Sequence, residues 1–115
     1  MNLHDEKTLI AINKHIRSIM EYCKACDDLD SFVANSMLVE ACVFNLMQIG
    51  ELAKSELSDE CKGEIKTIPW NQLYGMRNRI VHGYSGVKLR IVWDTIKEDL
   101  PALHKEISGY LNTQE

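Results

Sequence analysis

Apolar residues recur at every third or fourth position over most of this chain, and the places where that rhythm stops divide it into four helical stretches. From about Asp5 to Ala25 the spacing of Leu9, Ile12, Ile16, Ile19, Met20 and Cys23 lines one helix face. The run Asp27-Asp28-Leu29-Asp30-Ser31 interrupts it, and Asp30 or Ser31 can cap a second helix that continues to about Ser55. Val33, Met37, Val39, Ala41, Phe44, Leu46, Met47, Ile49, Leu52 and Ala53 place apolar surface on more than one side of that helix, as a central element with several neighbours requires. Met37 and Met47 read as adaptable core packing rather than as a cofactor box.

Ser58 to Thr67 is polar, with Gly63 as an interruption, and Pro69 then offers a helix start before Trp70. The third helix runs from Pro69 to Val81 or His82, where Gly83 and Ser85-Gly86 end it. The fourth, from about Val87 to Leu111, carries Leu89, Val92, Trp93, Ile96, Leu100, Leu103 and Ile107 on its apolar stripe. Pro101 should kink it, because proline lacks the amide hydrogen and its ring crowds the preceding turn. With no alternating strand pattern and no repeat, the expected fold is an all-α, antiparallel four-helix bundle with short connections, a single domain over residues 1–115.

At 115 residues and 13.2 kDa, a sizeable extra apolar face would favour association with a second copy. The N-terminus lacks a basic segment followed by a long apolar run, and no stretch approaches the roughly 18 apolar residues of a spanning helix, so no membrane and a cytoplasmic location are expected. Cys23, Cys26, Cys42 and Cys61 then read as reduced thiols. Cys23 and Cys26 form a C-x-x-C without a second ligand pair or a βαβ context, so a structural role is preferred over zinc or redox chemistry, and neither metal nor cofactor is expected.

The net charge of −4 argues against a protein that coats nucleic acid. Its distribution matters more. From Lys62 to Arg90, six lysines and arginines face the single acid Glu64, leaving that segment at +5 and the rest at −9. This suits a local phosphate-binding cleft on an acidic body, although charge on a solvated helix face would look the same.

The basic segment holds the candidate chemistry, Arg77-Asn78-Arg79-Ile80-Val81-His82-Gly83-Tyr84. An arginine stays charged and matches phosphate geometry with a fork of donors, while histidine titrates nearest neutrality. Asn78 and His82 are four apart and share a helix face, so the amide could orient the imidazole. Arg77 and His82 are about 140° apart around an ideal helix and do not point the same way. Either an irregular helix end or two copies facing across a two-fold axis would bring both to one phosphate. Read alone, a histidine near a helix end is a capping or packing residue. His4, His15 and His104 read as surface residues, and Trp70 and Trp93 as packing rather than base-stacking groups.

The pattern Arg77-x4-His82 with Asn78, extended to Gly83-Tyr84, resembles the R-x4-6-H signature of the HEPN superfamily, and in its R-x4-H-x-Y form the HepT (DUF86) toxins. Gln48-Ile49-Gly50-Glu51, Ile68-Pro69-Trp70, and Val92-Trp93 with Asp99-Leu100-Pro101 are similar to further family segments in the same order. The resemblance implies a HEPN homodimer with a metal-independent ribonuclease site at its interface. Arg77 and His82 would be catalytic and Asn78 a polar helper, with Tyr84 the tyrosine that a partner MNT-type nucleotidyltransferase antitoxin adenylylates. Glu51 is expected to pair with the motif arginine rather than act as an acid or base. His82 would take the proton of an RNA 2′-hydroxyl while Arg77 stabilises the phosphorane, leaving a 2′,3′-cyclic phosphate. The alternative is a non-catalytic subunit that docks a nucleotidyltransferase or presents its substrate.

Overall fold

Asn2 opens the first helix, its side-chain oxygen accepting from the Asp5 amide at 2.7 Å, and α1 runs Leu3–Tyr22. The computed structural model describes residues 2–82 and 88–113, with the side chains of 80–82 outside the description. Leu9, Ile12, Ile16 and Ile19 of α1 are essentially fully buried, each worth about 1.5–3 kcal/mol relative to exposure. The helix ends in a 3₁₀ turn, Cys23–Ala25. Asp5 is also buried, accepting from the Ser58 amide at 2.9 Å and the Ser58 hydroxyl at 2.7 Å.

The second expected helix is two. Asp28 and Ser31 form a capping box on the short helix α2 (Leu29–Val33), and the Asn35 side chain accepts from the Leu38 amide to start α3 (Ser36–Ser55). Asn35 breaks the run because its side chain competes for backbone donors. α3 is the central helix, carrying α1 on one side and α5 (Trp70–His82) on the other. By length and composition α3 could cross a membrane, an expectation the sequence did not raise; 44% of that stretch is buried inside the bundle, where its apolar residues fill the core.

The stretch expected to be a polar connector contains another short helix, α4 (Asp59–Glu64), capped by Ser58 and anchored by buried Cys61. The Pro69 carbonyl accepts from the Gln72 and Leu73 amides, so α5 begins where proline was expected to start it. The last stretch is α6 (Leu89–Asp94), a π turn at Thr95–Asp99, and α7 (Leu100–Thr113). Where Pro101 should kink the helix, the preceding turn is widened, and the Leu100 amide donates five residues back to the Thr95 carbonyl. The widened turn ends at Asp99, directly before Leu100-Pro101.

α7 packs on α1, and α2 on α6, where fully buried Phe32 meets Trp93 with ring centroids 5.2 Å apart. The Trp70 indole donates to the Lys62 carbonyl at 3.1 Å, so both tryptophans are half-buried packing groups. The described residues form an all-α bundle with no strand.

Candidate functional site

The closest backbone approach at the site is between α3 and α5. A Cβ placed on Gly50 would lie 2.5 Å from the Arg77 Cβ and 3.0 Å from the Leu73 carbonyl oxygen, so only glycine lets the two helices meet here. Glycine costs stability inside a helix, and its return is the position of Arg77. The guanidinium emerges beside Glu51, one residue on from that contact, with Nε 2.6 Å from Oε2. This is an ion pair rather than an aligned hydrogen bond, since the Nε–H finds no acceptor in hydrogen-bonding geometry. The pairing expected of Glu51 and the motif arginine is therefore present.

Ser55 donates its hydroxyl to the other Glu51 oxygen at 2.9 Å. That bond holds the Glu51 carboxyl below its ordinary range, helped by the Arg77 charge against a partial opposing effect of burial. Glu51 is thus an anion at neutral pH, a partner for arginine rather than a proton carrier. At 22% and 42% side-chain exposure, Arg77 and Glu51 remain within reach of a ligand.

The expected pairing of Asn78 with His82 involves a side chain outside the described residues, and Asn78 bonds Arg77. The Asn78 side-chain oxygen accepts from Arg77 Nη1 at 2.9 Å, so the amide orients the guanidinium. The backbone of α5 extends through His82. The His82 side chain lies outside the described residues, as does Tyr84, so neither the apposition of His82 with Arg77 nor the Tyr84 site is seen.

The same face continues along α3. Met37, Phe44 and Glu51 follow at intervals of seven, one side of a helix; Met37, expected in the core, is 81% exposed, and Phe44 is 55% exposed. Arg77 therefore sits at the end of an exposed apolar stripe. On the opposite flank of α5, Arg79 borders a groove of about 590 Å³, floored by Ile49, Leu73, Met76, Leu100 and Leu103.

Of the remaining histidines, only His4 is the surface residue the sequence suggested, exposed beside Glu56 at 2.9 Å. His15 is half-buried, its Nδ1 2.8 Å from the Asn45 side-chain oxygen across the α1–α3 contact. His104 is half-buried, with burial and the nearby Arg17 charge lowering its pKa. Both fall on faces that meet another helix, which spacing within one helix does not reveal. No cluster of three metal-ligating side chains occurs among the described residues.

Comparison with known proteins settles the family. Residues 12–109 match the ribonuclease HepT-like family. The chain belongs to that family. It is 35% identical over 86 residues to the protein named Putative RNase TTE0752 of Caldanaerobacter subterraneus subsp. tengcongensis, covering 75% of this chain and 76% of the relative. It is 30% identical over 108 residues to Putative RNase MJ1380 of Methanocaldococcus jannaschii, covering 93% and 97%. Probable ribonuclease HepT of Thermococcus cleftensis is 34% identical over 74 residues, covering 64% and 66%. No solved structure matches. Within the HepT-like family, the resemblance drawn from Arg77-x4-His82 is thus shown for the chain as a whole, while the roles of the individual residues are not.

Proposed function

We propose that this HepT-like chain is a metal-independent endoribonuclease that acts as a homodimer in the cytoplasm. The observation that carries this reading is Arg77, a cation fixed by backbone contact at Gly50, oriented by Asn78 and Glu51, and placed on a helix that extends to His82. A fixed guanidinium can bind the scissile phosphate and stabilise its charge as the 2′-oxygen attacks. His82 takes the proton from that hydroxyl, and DNA, lacking it, is not cut.

The stripe of Met37 and Phe44 supports the second copy, since it exposes large apolar side chains beside Arg77. Two copies meeting there would bring two Arg77–His82 sets together, one histidine acting as base and the other as acid. Toxin action, controlled by an MNT-type nucleotidyltransferase antitoxin that adenylylates Tyr84, completes the proposal. The added phosphodiester would repel RNA two residues from His82.

The test is RNA cleavage in excess EDTA by the wild type, Arg77→Ala and His82→Ala, with product ends mapped. Cleavage by the wild type alone, leaving cyclic phosphate ends, is the expected result. Equal cleavage by His82→Ala removes that residue from the mechanism. Inactivity of a folded, unmodified dimer would favour the docking subunit. Phe44→Glu should shift the mass in light scattering from dimer to monomer, and an unchanged dimer would place the interface elsewhere.

A further inference from the structure

The C-x-x-C pair has a third thiol beside it that sequence spacing does not show. Cys42, on α3, lies with its sulfur 3.6 Å from that of Cys23, and both side chains are buried. Cys23 also lines a shallow crevice of about 140 Å³ with Met20, Ile96, Lys97 and Pro101, beside the widened turn of the last helix. A buried thiol is ordinarily inert, whereas this one has a partner sulfur on one side and an opening with a lysine on the other.

We propose that Cys23 and Cys42 are an oxidisable dithiol, closed to an intramolecular disulfide by a peroxide that enters through this crevice. The hydrogen bond between the two thiols lowers the Cys23 pKa against the effect of burial, with Lys97 adding to the lowering; the same bond and burial raise Cys42. Cys23, the cysteine that lines the crevice, is the one that peroxide meets and so supplies the attacking sulfur. Its thiolate displaces hydroxide from hydrogen peroxide to give a sulfenic acid, and the proton lost by the thiol goes to that hydroxide as water. Cys42 then attacks the sulfenic sulfur, and its proton leaves with the hydroxyl as a second water. Two thiols lose two electrons and two protons, and one peroxide becomes two waters.

The sulfurs must close by about 1.5 Å to reach the 2.03–2.05 Å of a disulfide. The bond would tie the end of α1 to α3 and restrict the unfolded chain. Cys26 is near enough to Cys42 for its charge to act there, so it is the competing partner.

The experiment treats the full chain with hydrogen peroxide, blocks remaining thiols in denaturant, and digests with trypsin without reduction. Residues 18–24 carry Cys23, and residues 25–54 carry both Cys26 and Cys42. These peptides should emerge linked and separate on reduction, with titratable thiols falling from four to two. The link should persist in Cys26→Ala and vanish in Cys42→Ala, and Tm should rise by several degrees in the oxidised wild type. Loss of the link in Cys26→Ala overturns the proposal, since the bond would then belong to the C-x-x-C. So does oxygen addition at Cys23 without a link, or four thiols unchanged under peroxide that oxidises free cysteine.

Discussion

Helix α5 has two unlike flanks, each marked by a glycine. Toward α3, Gly50 lies under Arg77 with no room for a methyl group. Toward the last helix, Gly75 borders the groove and would meet nothing within 4 Å if it carried a Cβ. The first flank fixes a charged side chain by backbone contact, whereas the second leaves space. The proposed phosphate site draws on the first kind of contact, and the open flank should change with little effect on Arg77.

The largest effect should come from the chemistry proposed for α5. His82→Ala and Arg77→Ala are each expected to lower RNA turnover about 10²–10⁴-fold with circular dichroism unchanged. Retained turnover would mean that the rigidity around Gly50 serves packing alone. Gly50→Ala comes next, destabilising the fold by about 1–3 kcal/mol through overpacking and reducing cleavage as Arg77 shifts. Urea unfolding read beside activity measures both, and a neutral result would erase the contrast between the flanks.

A smaller effect asks whether tight polar anchoring is confined to the site. Burial pushes the Asp5 carboxyl up, but the hydrogen bonds from Ser58 and the Asn2 backbone more than offset this, leaving its pKa below the ordinary value. The folded state therefore favours the ionised form. Its stabilisation is present above the unfolded pKa of about 3.9 and is lost as pH falls through the lower folded value. Asp5→Asn should flatten that part of the pH–stability curve, and an unchanged curve would show the anchor to be inert. The smallest effect, opposite in sign to that of Gly50→Ala, belongs to Gly75→Ala. It should stabilise the fold by about 0.5–1 kcal/mol in the same urea assay while leaving cleavage unchanged.

The four long helices are legible in the sequence because Leu9, Ile12, Ile16 and Ile19, or Val92, Ile96, Leu100 and Leu103, repeat often enough to define a face. Six-residue α4 is not, since Cys61 alone anchors it, although Ser58 before Asp59-Glu60 was a start signal. The break at Asn35 was hidden within a run that stays apolar on both sides. At the site, the pairing of Glu51 with Arg77 could be argued from charge alone. The reason for Gly50, the bond from Arg77 to Asn78 and the help from Ser55 depend on how two helices meet, and no spacing within one helix encodes that.

The π turn at Thr95–Asp99 can also be counted as sequence length. The buried positions Val92, Ile96, Leu100, Leu103 and Ile107 advance by four, four, three and four, one residue more than a steady three-four alternation allows over that stretch. The widened turn absorbs the surplus, so Val92 and Ile107 stay on the core side although the chain between them is one residue too long. An insertion can thus persist in the middle of a helix without disturbing the packing at either end, and this turn is where related chains can differ in length by one residue and keep the same core.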